Sequence, residues 1–318
     1  MDTCAYLEVA CLPSEVAFQP SLVPYGSGYL MAFRQDTLEE TYVNRPMIAT
    51  PGQFWGRQRR VIVREINENF RPAGRELVHW EGEDPRLFKA MNQTWCAYST
   101  CPRSWRVWLM EVSMTTGKLG EPFLPAWGRN PYLIGGPDEK NWTWINGAHT
   151  LDCVQMWQPF RALRFAPGGD LIDNFQMDAR LSWRFGPIWG GTPSVLLPSG
   201  ERFSVFHGFL RGGRFNRCYF GGGIYHEPEW PYRPIKILHH PLLAGARRIK
   251  RWPWMQCQLV RPRVVYPCGL IAKPDRLIVS YGVDDCACAT AEVTYDELIE
   301  YDRESNRRLP FGSRGGRS

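Results

Sequence analysis

A five-bladed β-propeller, an all-β fold, is the architecture this sequence predicts, on two observations. Short alternating apolar runs are separated by clusters of Gly, Pro, Asn and Asp, the periodicity of strands rather than helices. Five polar turns, Gln19-Pro20-Ser21, Asp84-Pro85-Arg86, Lys140-Asn141-Trp142, Thr192-Pro193-Ser194 and Tyr266-Pro267-Cys268, recur 65, 56, 52 and 74 residues apart. A small antiparallel unit of that length cannot bury both of its faces alone, whereas units packed radially cover one another and protect their edges. The uneven spacing leaves a β-sandwich as the alternative.

The units follow in chain order. Residues 29–34 and 58–65 read as the inner and middle strands of the first, and residues 95–99 and 107–112 repeat that pattern in the second. The third uses residues 147–156 and 162–165. Residues 190–195, 203–207 and 217–222 make the fourth, and 264–270, 276–281 and 288–293 the fifth. No Gly/Ser-rich or charged linker divides them. A single domain over residues 1–303 is therefore expected, with residues 304–318 as a flexible tail.

The 318 residues suffice for a full hydrophobic core. The formal charge of +6 is spread along the chain rather than gathered in a tract, so no nucleic-acid partner is expected. The first residues lack the basic and apolar regions of a secretory signal, and no run of about 18 apolar residues occurs, so no membrane span and a cytoplasmic location are expected. Ten cysteines are present, but Cys286 with Cys288, and Cys96 with Cys101, do not complete a zinc pattern. Buried free thiols, no metal and no cofactor are the expectation. A homo-oligomer through a propeller edge or an aromatic rim is compatible with the sequence.

In a propeller the beginnings of the inner strands converge, so polar residues distant in sequence meet near the axis. Asp84 is the leading candidate acid, and Arg86 the group to orient it or bind substrate hydroxyls; a salt-bridged turn stiffened by Pro85 is the competing reading. Lys140 and His207 suit an anionic ligand. Arg103, Arg106 and Arg129 are candidates for further phosphate contacts. Asp285 is the candidate for sugar binding, with Asp284 capping the turn, and Glu227 or Glu229 would supply a general base if water is the nucleophile. Of 14 tryptophans, Trp80, Trp142, Trp144 and Trp189 stand beside polar turns and are the candidate sugar platforms. Gly221-Gly222-Gly223 lacks the strand-to-helix context and the Gly-Lys-Ser/Thr of a phosphate loop, and no serine nucleophile elbow occurs.

Taken together, Gly82-Glu83-Asp84-Pro85-Arg86, Lys140-Asn141, Gly191-Thr192-Pro193, Phe206-His207-Gly208 and Tyr281-Gly282-Val283-Asp284-Asp285 resemble glycoside hydrolase family 130 over roughly residues 19–293. That resemblance implies a five-bladed propeller acting on β-mannosides by inverting phosphorolysis or hydrolysis. It implies Asp84 as general acid, relayed through a mannose hydroxyl, and Asp285 on the glycone. Arg86, Lys140, Asn141, Trp142, His207 and Tyr281 become expected substrate-side residues, with an oligosaccharide or glycoside as substrate. It also implies inorganic phosphate as a co-substrate that attacks without a protein base. The chain is similar as well to the β-mannosyltransferases of glycosyltransferase family 108, through residues 139–142 and 281–285. A propeller that binds glycans without turning them over is the alternative of a different class.

Overall fold

The computed structural model describes residues 4–7, 15–37, 59–100, 105–125, 140–212, 216–245, 264–284 and 287–307. They form five antiparallel sheets arranged as the blades of a propeller. The first blade is β2 (Glu15–Tyr25), β3 (Gly28–Thr37), β4 (Arg59–Ile66) and β5 (Pro72–Trp80), ordered from axis to rim. The second is β6 (Glu83–Ala90), β7 (Gln93–Thr100), β8 (Arg106–Ser113) and β9 (Lys118–Leu119). The third is β10 (Thr143–Trp144), β11 (Leu151–Trp157), β12 (Phe160–Phe165) and β13 (Leu171–Met177). The fourth holds β14 (Val195–Leu196), β15 (Arg202–Gly212), β16 (Asn216–His226), β17 (Pro234–Ile237) and β18 (Leu243–Ala244), with β18 pairing β16. The fifth is β19 (Val265–Ala272), β20 (Arg276–Val283) and β21 (Ala287–Thr294), completed by β1 (Cys4–Leu7) from the other end of the sequence, which pairs with β21.

Residues 29–34 and, of the expected 58–65, the described residues 59–65 are thus second and third strands, not inner and middle ones. β2 takes the axial place, because it carries the polar turn at Gln19 that meets the neighbouring inner strands. Residues 95–99 and 107–112 are displaced outward in the same way by β6.

Blade packing explains why the strands read as nearly unbroken apolar runs. In β3, Leu30 and Ala32 face the second blade, in a cluster with Leu87, Cys96 and Met110. The alternate residues Tyr29, Met31 and Phe33 face the fifth, beside Ile271 and Ile278. Successive side chains point to opposite faces, and here both faces are interior. The five apolar clusters correspond to the five seams between adjacent blades.

Hydrogen bonds between inner strands close the ring. The Leu87 amide donates to Ser21 Oγ at 2.8 Å, Ala90 bridges Ala148, and Ile145 bridges Ser194. The fourth and fifth blades approach where glycine permits it: a Cβ on Gly191 would strike the Val205 carbonyl and press on Pro267.

After β21 the chain turns into helix α1 (Tyr295–Arg307). Thr294 and Glu297 form a capping box, in which the Thr294 amide donates to Glu297 Oε2 at 2.9 Å and the Glu297 amide to Thr294 Oγ1 at 3.2 Å. Leu298 is buried in the seam between the fourth and fifth blades, and Lys236 pairs with Asp302 at 2.8 Å. The helix therefore runs through the expected boundary at residue 303, and residues 304–307 are helical. Among the described residues no helix is long and apolar enough to cross a membrane, and no group of three or more metal-ligating side chains occurs.

Candidate active site

The second polar turn lies where β6 enters the axis. The register of β6 against β7 slips between Glu83 and Arg86, so Asp84 and Pro85 bulge from the ladder. Asp84 adopts φ 54°, a left-handed conformation that a short polar side chain tolerates, and Pro85 follows where no amide donor is needed. Gln19 repeats the geometry in the first blade with φ 58°, and Asn141 stands at φ 65° before the third.

Asp84 is 7% exposed and Arg86 3%. Arg86 is held by backbone carbonyls: Nε donates to Gly191 O at 2.6 Å, and Nη1 to the Asp84 and Pro85 oxygens, both at 3.0 Å. Among the described residues its Nη2, though buried, has no hydrogen-bond partner. The guanidinium lies 5.1 Å from the centre of the Tyr266 ring. The Tyr266 hydroxyl sits 3.2 Å from Asp84 Oδ2 and also in hydrogen-bond contact with the Asn141 side chain; with one proton, it donates to one of them at a time. Burial, and next the Asp84 charge, hold the Tyr266 phenol well above its ordinary range, so it stays a donor.

Burial alone would raise the Asp84 carboxyl, but Lys140, Arg86, Arg34 and the Tyr266 hydrogen bond outweigh it and set Asp84 below the ordinary carboxylate value. Lys140 rests its Nζ 3.9 Å from the centre of the Trp105 ring. His207 donates from Nδ1 to Gly190 O at 2.7 Å, since a carbonyl only accepts, which leaves Nε2 as an acceptor. Burial, reinforced by Arg86 and Lys140, lowers His207 to about 3. It is therefore a neutral ring near physiological pH rather than a cation for an anionic ligand.

Next to Asp84 in the chain, Glu83 turns toward the first blade. Its Oε2 accepts from Arg34 Nη1 at 2.7 Å and Arg59 Nη1 at 3.1 Å. Arg34 is gripped in turn by Asp36, with Nε to Oδ1 at 2.7 Å and Nη2 to Oδ2 at 2.6 Å. Burial, and then the neighbouring Asp84 charge, raise the Glu83 carboxyl to about 7 against the pull of Arg34, Lys140 and Arg59.

The structure brings together Asp84, Arg86, Asn141 and His207, with Lys140 in their field. Other expected residues lie elsewhere. Trp142 and Trp144 are 2% and 1% exposed and fill the seam between the second and third blades, where Trp142 lies parallel to Phe165 at 6.2 Å; they are core, not sugar platforms. Tyr281 packs in the seam between the fourth and fifth blades. Glu227 and Glu229 follow the end of β16, where His226 pairs with Arg202; that is five residues along β15 from His207, roughly 17 Å down the blade. Glu227 instead faces Arg233 at 3.5 Å, so neither acid is placed to activate a nucleophile beside Asp84. Arg106 opens β8, two strands outward from β6 and roughly 10 Å from it, with Nη1 on the Trp105 carbonyl at 3.3 Å. Asp285, Arg103 and Arg129 lie outside the described residues. Asp284 caps its turn, accepting the Val264 amide at 2.9 Å.

Tyr266 is the site residue that motif reading overlooks. It heads the fifth polar turn as Asp84 heads the second, and that shared rank is the signal that it faces the axis. Glu83 carries no comparable mark, because its role depends on Arg34 and Arg59, which are 49 and 24 residues away.

No family model and no curated protein matches the chain. Solved structures do. One is from the GH130 family of mannoside phosphorylases, which contains glycoside hydrolases that target β-1,2 mannosidic linkages in Candida mannan: TM-score 0.63, 13% identity, covering 89% of this chain and 85% of that one. The β-1,2-mannobiose phosphorylase of Listeria innocua, in complex with β-1,2-mannobiose, matches with TM-score 0.64 and 12% identity over 93% of this chain and 95% of that one. MPT-4, a mannose phosphorylase of Leishmania mexicana in complex with a phosphate ion, matches with TM-score 0.55 and 13% identity over 90% and 86%. At such identities the likeness establishes the fold, and the chain shares its propeller with these mannoside phosphorylases and hydrolases along nearly its whole length.

Proposed function

We propose that the chain is a carbohydrate-active enzyme that cleaves β-mannoside-like glycosides with inversion, by phosphorolysis, with Asp84 as general acid. The observation that carries this reading is a buried carboxyl at the axial end of β6, hydrogen-bonded to Tyr266 and flanked by Arg86, whose Nη2 has no hydrogen-bond partner among the described residues. The mannobiose and phosphate complexes belong to the structural neighbours and support the substrate class by analogy of fold.

In the proposed reaction the bond between the anomeric carbon and the glycosidic oxygen breaks, and a phosphate oxygen bonds to the anomeric carbon from the opposite face. The leaving oxygen takes a proton originating on Asp84, passed through a sugar hydroxyl as the family resemblance implies. The products are a mannosyl phosphate and the shortened sugar. Phosphate is favoured over water because Arg86 and Lys140 supply fixed positive charge for an anion, while Glu227 and Glu229 stand at the far end of the blade. The same cations favour the Asp84 anion before phosphate binds. An arriving phosphate neutralises part of their field and so raises Asp84 toward its protonated, acid-competent form.

The test is product formation from a β-mannoside panel with and without inorganic phosphate, and in reverse from mannose 1-phosphate or GDP-mannose. Mannosyl phosphate formed only with phosphate, and at least about a hundredfold slower in Asp84→Asn, is expected. Free mannose regardless of phosphate indicates hydrolysis, and growth from GDP-mannose alone a transferase. Undiminished turnover in Asp84→Asn rejects the assignment, and sugar affinity without turnover leaves a binding module.

A further inference from the structure

The seams between blades absorb Trp142 and Trp144, but Trp105 belongs to none of the five apolar clusters and is half-buried. It stands immediately before β8, whose first residue, Arg106, is paired with Thr100 at the end of β7. Because β6, β7 and β8 alternate in direction, the start of β8 lies at the same end of the blade as Asp84. From there the indole reaches inward to Lys140, whose Nζ is 3.9 Å from the ring centre. Lys140 in turn precedes Asn141, whose side chain shares the Tyr266 hydroxyl with Asp84. Among the described residues the Trp105 ring is the contact that fixes the Lys140 ammonium, which has no hydrogen bond or ion pair there.

We propose that Trp105 is a positioning residue acting through Lys140: its ring face holds the ammonium at the Asp84 end of the axis and leaves the N–H donors to a bound phosphate. This rests on the phosphorolysis reading, in which Lys140 serves the anion. The lysine head sits on a flexible four-carbon stem, and an unheld Lys140 would spread over many rotamers. A carboxylate in place of Trp105 would also fix it, but would cancel its charge and take up donors that an anion needs. An aromatic face does neither. It attracts the ammonium through the ring quadrupole and carries no formal charge, and the indole is the strongest such face. The observed separation is well inside the limit of about 6 Å for that attraction.

The experiment measures inorganic phosphate binding by titration calorimetry, and the phosphate KM of glycoside cleavage, in the wild type, Trp105→Leu, Trp105→Phe, Lys140→Met and the pairwise combinations with Lys140→Met. Trp105→Leu should weaken phosphate binding by about 3- to 30-fold, the strength of a cation–π contact, and Trp105→Phe should restore part of that loss. With Lys140→Met in place, either change at Trp105 should alter phosphate affinity by less than about twofold, since no ammonium remains to be held. If Trp105→Leu does not fold, Trp105→Phe carries the same test with a smaller loss that must vanish in the Lys140→Met background. A Trp105 that only packs the end of the blade predicts a lower melting temperature with phosphate affinity unmoved, or a loss that persists without Lys140; either result overturns the proposal, as does a wild type that binds no phosphate. A wild type that binds phosphate in this Trp105-dependent way yet cleaves no glycoside sinks the reaction and keeps the proposal. Phosphate-dependent cleavage with Trp105→Leu at wild-type affinity does the reverse.

Discussion

At the scale of the residue, Arg86 shows why its position demands a guanidinium. Three carbonyls, from Gly191, Asp84 and Pro85, converge on it, and only a planar fork reaches them while leaving the two N–H donors of Nη2 over. The Arg86→Lys variant keeps the charge but leaves buried carbonyls without a partner. It is expected to lower unfolding free energy by about 2–3 kcal/mol, read from urea midpoints, and to raise the phosphate KM. A stability within about 0.5 kcal/mol of wild type would show that the carbonyls find other donors. Much of this site is legible in the motif, because Asp84-Pro85-Arg86 announces a rigid turn bearing both charges. The neutral state of His207 is not, since it follows from a burial that no local pattern records.

At the scale of the element, the seam between the second and third blades depends on an aromatic layer that belongs to both. Phe88 of β6 stacks on Trp144 of β10 with centroids 4.8 Å apart and planes within 9°. The Phe88→Ala variant removes a fully buried ring between blades, at an expected cost of about 3–5 kcal/mol by denaturant unfolding. A cost below about 1 kcal/mol would mean that the seam collapses to fill the space. The same packing explains two departures from the sequence reading. Trp142 and Trp144 stand beside a polar turn, yet their side chains leave it for the seam, as strand alternation allows in a fold with two interior faces. The triplet Gly221-Gly222-Gly223 serves contact rather than phosphate binding: a Cβ on Gly222 would strike Phe206, and one on Gly223 would strike Phe203. Helix α1 was readable from Thr294 and Glu297 as a capping pair, a signal that strand periodicity overshadows.

At the scale of the whole molecule, burial of titratable groups sets a pH dependence. His207 and His226 are lowered to about 3 by burial, from an ordinary 6.5. Their stabilising contribution is present above pH 6.5 and lost as pH falls toward 3, because the unfolded chain takes up two protons that the fold refuses. Glu83 acts in the opposite sense: raised from 4.5 to about 7, its contribution is present below pH 4.5 and lost as pH rises through 7. Between pH 4.5 and 6.5 the unfolded state therefore binds about one net proton more, and stability should drop by about 1.4 kcal/mol per pH unit on acidification. His79, lowered mainly by burial, adds in the same direction. Urea midpoints at pH 6.5, 5.5 and 4.5 check this, and flat stability over that range contradicts it; Glu83→Gln should roughly double the slope. By itself the sequence determined the all-β class, the number of units and the polar turns, because these follow from side-chain periodicity and from turn residues acting over a few positions. Only the tertiary structure decided which strand of each unit lines the axis, that Tyr266 meets Asp84 across 182 residues, that Glu83 answers to Arg34 and Arg59, and that Glu227 and Glu229 lie at the far end of a blade. Those outcomes depend on how five sheets close into a ring, and on the loss of water inside it, which local sequence does not encode.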